Sequence, residues 1–356
     1  MAVDMYSLLK DMVQKNASDL HLGAGTAPHM RINERLTAVG GQALDAYSAK
    51  DLVYSILTNE QKAKFERDKE LDFAFTKEEL GRFRVNVFWQ RGYVGSAIRA
   101  LPFKIMSFEE CGLPVRVVEE FCRKTKGFVL VTGATGSGKS TTLASMIQWI
   151  NTNRDCHIIT VEDPIEYVYS NKKSIIDQRE VGSDTHSFSD ALKHVLREDP
   201  NVILIGEMRD LETIESALII AETGHLVLAT LHTSDTVQTI NRIIDVFPSR
   251  QQAQVRTQLS FVLTGVMSQQ LVPCSSRQGR VLAVEVMVMN HALRSQIREG
   301  KVHQIYSAIQ TGQKEGMQTM NQALFELFTR GEISKEDALT RTTEPNDMER
   351  IFKERK

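Results

Sequence analysis

Apolar residues near the start of the chain alternate with polar ones, which is the period-two pattern of half-buried strands. Phe83–Trp89 and Gly92–Ala100 predict the two strands of a hairpin, and Leu71–Phe75 predicts a third strand. Ser48–Lys69 predicts one helix capped by its first residue, because its apolar residues recur at helical spacing. Further strands are predicted at Asp19–Leu22 and, around a turn at Asn33 and Glu34, within His29–Val39. Together these elements predict a small α+β module.

The middle of the chain instead carries short, continuous apolar runs separated by helical segments. The runs are typical of fully buried strands and comprise Gly127–Thr132, His157–Val161, Val202–Ile205 and Leu226–Thr230. The helical segments that alternate with them are Ser140–Asn151, Ser189–Arg197 and Leu211–Thr223. Such alternation predicts an α/β domain in which helices cover both faces of a parallel sheet.

Val281–Met289 predicts one more strand, and the residues after it follow a helical pattern interrupted at glycines. With 356 residues, the chain is too long for one typical domain. Gly112 and Pro114 punctuate a linker-like stretch. We therefore expect an α+β domain at 1–102, a linker at 103–114, an α/β domain at 115–290 and a helical subdomain at 291–356.

Composition narrows the class of protein without identifying it. The formal net charge is −2, so no global basic excess indicates nucleic-acid binding. The four cysteines show no C-x-x-C spacing, which favours reduced thiols in a cytosolic protein over a zinc site. The N-terminus lacks the pattern of a signal peptide, and no apolar run approaches the ~20 residues that span a bilayer. We expect a soluble, cytoplasmic protein.

One glycine-rich segment carries the strongest chemical signal. Gly133-x-x-x-x-Gly138-Lys139-Ser140 fits the Walker A pattern and lies between an apolar strand and a helix, as such a loop requires. Its backbone N–H groups would surround the phosphates, Lys139 would reach the β- and γ-phosphates, and the Ser140 hydroxyl would bind Mg²⁺. The predicted ligands are therefore ATP and Mg²⁺. The predicted nucleotide-binding residues are Gly133, Thr135, Gly136, Ser137, Gly138, Lys139, Ser140 and Thr141.

Carboxylates follow two of the other predicted strands. Glu207 lies where a Walker B strand delivers its acid, and it is the leading candidate to orient the attacking water. Glu162 and Asp163 follow another strand and are placed to hold Mg²⁺ or its waters, because ligands lie at the carboxyl ends of such strands. For the nearby Glu166, an ordinary surface turn is an equally good interpretation.

Two histidines lie on either side of the strand predicted at Leu226–Thr230. His225 precedes this strand and His232 follows it, so strand geometry keeps the two side chains apart. Spacing alone therefore favours a structural role for each histidine.

Four segments, in this order, resemble the secretion-superfamily ATPases of type II secretion and type IV pili. They are similar to that family's Walker A, Asp box, Walker B and His box, and comprise Gly-Ala-Thr-Gly-Ser-Gly-Lys-Ser-Thr, Val-Glu-Asp-Pro-Ile-Glu-Tyr, Gly-Glu-Met-Arg-Asp and Thr-Gly-His-Leu-Val-Leu-Ala-Thr-Leu-His-Thr. The resemblance covers nearly the whole chain. It favours the pilus-retraction branch, since extension and secretion ATPases usually carry a further N-terminal domain and a tetracysteine zinc motif.

The resemblance implies both a fold and an assembly. It implies an N-terminal PAS-like domain, a RecA-like P-loop ATPase core and a ring-shaped homo-hexamer that binds ATP between neighbouring subunits. By the family pattern, Glu207 is the catalytic glutamate, Glu162 and Glu166 are Asp-box carboxylates, and His225 and His232 are His-box residues near the γ-phosphate. For the two histidines, this reverses the expectation from spacing.

Arginines of the predicted hairpin gain a role from the same resemblance. In this family, hairpin arginines reach the nucleotide as arginine fingers, which neutralise charge on the transferring phosphoryl group. Arg84 and Arg99 fit this role best by position, and Arg82 is expected on the opposite face of its strand. A solvated basic face is the alternative interpretation.

The implied function is that of a motor ATPase that powers pilus retraction and twitching motility from the cytoplasmic face of the inner membrane. Its implied partners are an inner-membrane pilus platform protein and, as a further candidate, a paralogous retraction ATPase, so that it contacts the membrane only through partners. An accessory retraction ATPase or another secretion-superfamily ATPase is the main alternative. A P-loop kinase and a non-hydrolysing, nucleotide-gated interaction protein are weaker alternatives, because no acceptor lid is evident and Lys139, Ser140 and Glu207 are all present.

Overall fold

The computed structural model describes residues 4–32, 35–77, 79–101, 104–275 and 277–354. Their contacts divide the chain into two compact units, Met1–Lys104 and Ile105–Lys356. The division falls inside the stretch that the sequence indicates as a linker. The turn predicted at Asn33 and Glu34 lies outside the described residues.

The first unit is an antiparallel sheet that shares one apolar core with three helices. Its six strands lie in the order β3-β2-β1-β6-β5-β4. The helices are α1 (Met5–Gln14), α2 (Ala46–Tyr54) and α3 (Asn59–Asp68), and the strands are β1 (Asp19–Gly23), β2 (His29–Ile32), β3 (Arg35–Ala38), β4 (Glu70–Lys77), β5 (Gly81–Gln90) and β6 (Tyr93–Ala100). The predicted hairpin is the β5–β6 pair.

Two helices occupy the segment for which a single helix was expected, Ser48–Lys69. Asp45, rather than Ser48, caps α2 and accepts a hydrogen bond from the Ser48 backbone N–H at 2.7 Å. Thr58 starts α3 through a capping box with Gln61, in which each side chain accepts a hydrogen bond from the other residue's backbone N–H. Since each cap satisfies N–H groups that the first turn leaves unpaired, the second cap starts a separate helix.

The second unit is built on a seven-stranded sheet in the order β13-β12-β7-β11-β10-β8-β9. All neighbouring strands are parallel except the edge pair β12 and β13. The predicted parallel sheet is thus found at its centre, and the antiparallel edge differs because β12 and β13 are joined without a crossover helix. The strands are β7 (Gly127–Thr132), β8 (His157–Glu162), β9 (Ile175–Glu180), β10 (Val202–Ile205), β11 (Leu226–Leu231), β12 (Leu263–Pro273) and β13 (Arg280–Val288).

Helices cover both faces of this sheet, and the central strand β7 shows why its sequence is apolar throughout. Phe128 and Leu130 lie in one buried core, whereas Val129 and Val131 lie in the other. A strand that is buried on both sides needs apolar residues at every position. The helices before the C-terminal region are α4 (Val115–Arg123), α5 (Lys139–Asn153), α6 (Phe188–Val195), α7 (Leu211–Glu222), α8 (Thr236–Asp245) and α9 (Ser249–Val262).

The sequence pattern does not predict strand β12, because polar residues interrupt its apolar run. Two of these polar residues, Ser268 and Gln269, are fully buried, and each makes a hydrogen bond to another buried side chain. The Ser268 hydroxyl lies 2.9 Å from the Thr132 hydroxyl, and Gln269 Nε2 donates to Thr142 Oγ1 at 2.7 Å. These hydrogen bonds join β12 to the end of β7 and to α5, both of which flank the glycine-rich loop.

The C-terminal region is helical, as expected. Its helices are α10 (His291–Arg298), α11 (Ile305–Thr311), α12 (Met320–Thr329), α13 (Lys335–Thr340) and α14 (Pro345–Glu354). The last three pack on β12 and β13 through a small apolar core that includes Val272 and Ala283. Helices α10 and α11 instead contribute residues such as Leu293 and Ile305 to a core of the main sheet. Throughout the described ranges, no helix combines the length and apolarity needed to cross a membrane.

One buried carboxylate connects this region to the centre of the unit. Glu285, on β13, is 2% exposed and accepts hydrogen bonds from the backbone N–H groups of Thr236 (2.9 Å) and Met320 (3.3 Å). These are the first residues of α8 and α12. Because helix N-termini carry partial positive charge, one carboxylate stabilises the start of two helices.

Candidate nucleotide site

The glycine-rich loop links the end of β7 to α5, at the edge of the sheet where the parallel strands end, called here the carboxyl edge. Gly133, Gly136 and Gly138 have φ values of 141°, 79° and 92°. At Gly133, a Cβ would lie 2.4 Å from the Gln269 carbonyl oxygen, so a side chain does not fit. Helix α5 has no side-chain cap, which leaves its first N–H groups available to an anion.

Lys139 is the first residue of α5 and bends back over the loop. Its Nζ donates to the carbonyl oxygens of Gly133 (2.7 Å) and Ala134 (3.0 Å). Burial lowers the pKa of Lys139, and the negative charges of Glu207 and Glu166 oppose that shift. Both carboxylates therefore lie close enough to the loop to act on its lysine.

Glu207 lies between a histidine and an arginine at the carboxyl edge. Its Oε1 is 3.0 Å from His232 Nε2, and its Oε2 accepts a hydrogen bond from Arg209 Nη2 at 2.8 Å. The Arg209 hydrogen bond is the main cause that lowers the pKa of Glu207, with burial opposing it and His232 adding to it. Glu207 is thus held as a carboxylate that can accept a proton or a hydrogen bond from water.

Neighbouring strands bring these groups together. Ile205, at the end of β10, pairs in register with Ala229 on β11, so the residues that follow both strands emerge at the same edge. The Thr230 hydroxyl donates to the Gly206 carbonyl oxygen at 2.6 Å, which fixes the backbone just before Glu207.

Glu162 ends β8 at the same edge but is almost enclosed, with 9% of its surface exposed. Its Oε1 accepts hydrogen bonds from the Thr160 hydroxyl (2.6 Å) and from Gln178 Nε2 (3.3 Å). Burial nevertheless raises the pKa of Glu162 to about 7. Asp163 and Ser140, the other predicted metal ligands, are exposed.

The donor set at this edge suits Mg²⁺ better than a metal that needs a protein cage. In the described ranges, no three His, Cys, Asp or Glu side chains cluster as metal ligands would. Mg²⁺ usually takes one or two protein oxygens and completes its shell with phosphate and water. The exposed Ser140 hydroxyl, in the uncapped first turn of α5, fits that requirement.

His225 lies at the opposite end of β11 from His232. Its carbonyl oxygen accepts from the backbone N–H of Gly127, the first residue of β7, and its Nδ1 lies 3.1 Å from Thr223 Oγ1. At ~3.3 Å per residue, the six residues of β11 separate the two histidines by roughly 20 Å. Within one chain, His225 therefore lies at the end of β11 away from the phosphate loop, and its position beside the γ-phosphate stays a prediction.

Arg84 and Arg99 are adjacent on the exposed face of the first unit's sheet. Arg84 on β5 lies directly opposite Arg99 on β6 in the strand register. The Arg99 side chain donates a hydrogen bond from its Nε to Asp19 Oδ1, on β1, at 2.8 Å. The Arg84 side chain is exposed and makes no hydrogen bond or ion pair to any residue that the structure describes. Of the two predicted arginine fingers, Arg84 is therefore the one without a competing carboxylate.

The expectation that Arg82 faces away from Arg84 is wrong. Strand β5 continues without a bulge through both positions, with Thr76 opposite Arg82 and Ala74 opposite Arg84. Residues two apart on a regular strand point to the same face, so the two arginines share one surface.

Two arginines beside the loop, Arg280 and Arg341, were not predicted from the sequence. A cavity of about 390 Å³ borders the loop, and a second one of about 440 Å³ continues past Gly138 and Thr141 towards Leu282. Arg280 lines both cavities and Arg341 lines the first. Neither belongs to a motif, because only the β12–β13 pair and the turn after α13 bring them to the loop. Arg209, by contrast, stands next to Glu207 in a recognised motif.

We expect Glu162→Gln to change how stability depends on pH. The pKa of Glu162 is about 7 in the folded protein against an ordinary value of 4.5, so between these values the folded state keeps a proton that the unfolded state has released. The free energy of unfolding should therefore fall as pH rises through this window, by about 1.4 kcal/mol for each pKa unit. Glutamine cannot ionise, so the variant should lose this part of the slope.

Urea unfolding of nucleotide-free protein, repeated across that pH window, measures the difference. Glu215→Gln, on the exposed side of α7, is the matched control and should keep the wild-type slope. If the slopes of wild type and Glu162→Gln coincide, the burial of an ionisable Glu162 does not act on stability as described.

Comparison with known proteins relates this geometry to one family. The family model described as "Type II/IV secretion system protein" matches residues 3–340. The "Type IV pilus retractation ATPase PilT" of Pseudomonas aeruginosa is 46% identical over 346 residues, which cover 97% of this chain and 100% of the relative. The "Type IV pilus ATPase PilU" of the same organism is 41% identical, with 99% of this chain and 92% of the relative covered.

A solved structure agrees with these matches. The "Crystal Structure of the Pilus Retraction Motor PilT and Bound ADP" is 49% identical to this chain and has a TM-score of 0.93, covering 98% of this chain and 99% of that one. The predicted fold class, a P-loop ATPase core with an N-terminal α+β domain and C-terminal helices, is confirmed. The chain belongs to the family of type II/IV secretion system proteins.

Proposed function

We propose that this protein is a hexameric motor that hydrolyses ATP to power retraction of type IV pili, as expected for a protein so similar to PilT. The observation that carries the proposal is Glu207, held ionised between His232 and Arg209 at the carboxyl edge that also carries the phosphate loop. The near-complete coverage of PilT, a protein described as a pilus retraction ATPase, supports the pilus context. The motor acts in the cytoplasm, at the inner membrane, on a pilus platform protein.

Nucleotide binding begins at the phosphate loop. Lys139 exchanges the carbonyl oxygens of Gly133 and Ala134 for phosphate oxygens, which favours binding because its charge gains an anionic partner. The N–H groups of the loop and of the first turn of α5 bind the remaining oxygens. Ser140 would hold Mg²⁺ directly, and Glu162 and Asp163 would bind the water molecules of the ion. When bound, Mg²⁺ would neutralise part of the phosphate charge.

Hydrolysis requires a water molecule directed at the terminal phosphate. Glu207 orients this water and accepts its proton, while Arg209 keeps the carboxylate ionised until then. His232 holds the other oxygen of Glu207, so the carboxylate keeps one orientation. Water attacks the γ-phosphorus as the bond to the β-phosphate oxygen breaks, and Lys139 stabilises the negative charge that develops on the leaving ADP.

A neighbouring subunit completes the site. The exposed, unpaired Arg84 contributes a guanidinium that stabilises the transferring phosphoryl group, in the manner of an arginine finger. The paired Arg99 holds the same sheet face basic and is the second candidate for this contact. Closing and opening of such interfaces would convert hydrolysis into a change in the shape of the ring.

A second function is favoured by one specific similarity. The chain matches the "Type IV pilus ATPase PilU" over 99% of its length, at an identity only slightly below that of PilT. An accessory retraction ATPase is therefore the alternative.

Glu207→Gln should lower the rate of ATP hydrolysis about 100-fold or more, because an amide cannot accept the proton of the attacking water. ATP affinity should change little, since the phosphate loop stays intact. Turnover and equilibrium binding of a slowly hydrolysed ATP analogue measure the two effects. Glu215→Gln is the control and should behave as wild type. Turnover at the wild-type rate in Glu207→Gln would remove Glu207 from the proposed chemistry.

Mixing two inactive variants tests whether Arg84 acts on a neighbouring subunit. Arg84→Ala should lower turnover about 1,000-fold if Arg84 is an arginine finger. When this variant is co-assembled with Glu207→Gln, some interfaces combine an intact Arg84 with an intact Glu207, so activity should partly return. Arg67→Ala, an exposed arginine of α3, is the control for a general loss of charge. Full activity of Arg84→Ala alone, or no recovery on mixing, would contradict the proposal.

Deletion of the gene, followed by imaging of surface pili, tests the direction of the motor. Retraction predicts excess pili and lost twitching, because pilin subunits no longer return to the membrane. Bald cells would instead indicate pilus extension. Excess pili with twitching retained would favour the accessory alternative.

A further inference from the structure

Arg341 lies beside the phosphate loop although more than 200 residues separate it from that loop along the chain. It lines the cavity of about 390 Å³ that the loop borders. The lining contains two arginines and no acidic residue, comprising Gly133–Ser137, Ser234, Gln269–Leu271, Arg280 and Arg341. With loop N–H groups on one side and arginines on the other, the cavity favours an anion.

Several polar atoms at this cavity have no hydrogen-bond partner in the described part of the chain. The Ser137 hydroxyl, Gln269 Oε1 and Arg341 Nε are all buried and make no hydrogen bond there. The nearest carboxylate oxygen to Arg341 is Asp337 Oδ1, at 3.9 Å, which is beyond hydrogen-bond distance. Because an unsatisfied buried donor is costly, a ligand with acceptor oxygens would satisfy the Ser137 hydroxyl and Arg341 Nε, whereas Gln269 Oε1 is itself an acceptor and needs a donor.

The position of Arg341 is built into the C-terminal helices. Gln270 Nε2, on β12, donates to the Arg341 carbonyl oxygen at 3.3 Å. The buried side chain of Asn321, on α12, donates to the Glu344 carbonyl oxygen at 2.8 Å and accepts a hydrogen bond from the Thr342 hydroxyl. The turn that carries Arg341 is therefore held on both sides.

Asp347 links helix α14 to α11 and to Asn321, the residue that holds the same turn. Its carboxylate accepts hydrogen bonds from Tyr306 Oη (2.8 Å) and Gln310 Nε2 (2.9 Å), both on α11, and from Asn321 Nδ2 (3.3 Å). Arg341 thus belongs to a connected set of helices rather than to a loose terminal segment.

We propose that Arg341 is a phosphate-binding residue, contributed by the C-terminal helices to the nucleotide that the phosphate loop of the same chain holds. The inference rests on the proposed ATPase function and adds a contact to it. A guanidinium presents its Nε and Nη donors as a planar fork that matches two phosphate oxygens. With 34% of the side chain exposed, the guanidinium is accessible to such a ligand. A bound phosphate would therefore contact Arg341, in the turn between α13 and α14, as well as the loop.

Calorimetric titration of the full-length protein with ADP, inorganic pyrophosphate and adenosine tests the contact. Arg341→Gln should bind ADP and pyrophosphate at least about 10-fold more weakly, as expected for the loss of a charged hydrogen bond. Adenosine binding should not change, because adenosine has no phosphate. Arg116→Gln is the control, since Arg116 pairs with Glu120 on the exposed side of α4. Wild-type affinity for ADP and pyrophosphate in Arg341→Gln would overturn the proposal.

A measurement on the wild-type protein avoids any dependence on how the variant folds. Phenylglyoxal modifies accessible arginines, and mass spectrometry reports the extent at each one. ADP and pyrophosphate should protect Arg341 and leave Arg116 unprotected, whereas adenosine should protect neither. Absence of protection by ADP at saturation would also overturn the proposal. If the wild-type protein binds no nucleotide at all, the proposed ATPase function fails instead.

Discussion

The parallel register of β7, β11, β10 and β8 is the constraint on which the rest of the second unit depends. It makes all four strands end at one edge, so that residues from distant parts of the chain meet there. The phosphate loop, His232, Glu207 and Glu162 follow these strands in turn. These four groups need no long or unusual connection, because the register alone brings them together. The same constraint places His225 at the opposite edge of the sheet, since it precedes its strand.

Much of this site could be predicted because its signals are local. The Walker A spacing and the bounds of β7 follow from glycines at defined positions and from a continuous apolar run. Glu207 and Glu162 follow from their places just after apolar strands. The prediction of one helix over Ser48–Lys69 was wrong for a local reason as well, because the segment contains a second capping signal at Thr58 and the first helix is capped before it, at Asp45.

The remaining features depend on contacts between residues far apart in sequence. Strand β12 carries Ser268 and Gln269 in a buried position, and their partners Thr132 and Thr142 lie more than 100 residues earlier. Arg341 reaches the loop only because Asn321 and other side chains fix the turn that bears it. A pattern read along one chain contains no information on such pairings, since each residue alone is typical of a solvated position.

Glu285 gives the second unit a mechanical property. One end of its carboxylate holds the start of α8, four residues after His232, and the other holds the start of α12, next to the turn that bears Arg341 through Asn321. Pulling the two helices apart would leave the buried carboxyl group of Glu285 without its backbone donors, which costs about 1–3 kcal/mol. The start of α12 therefore cannot move away from the start of α8 without the loss of a hydrogen bond to Glu285, which couples the C-terminal helices to the segment that follows His232.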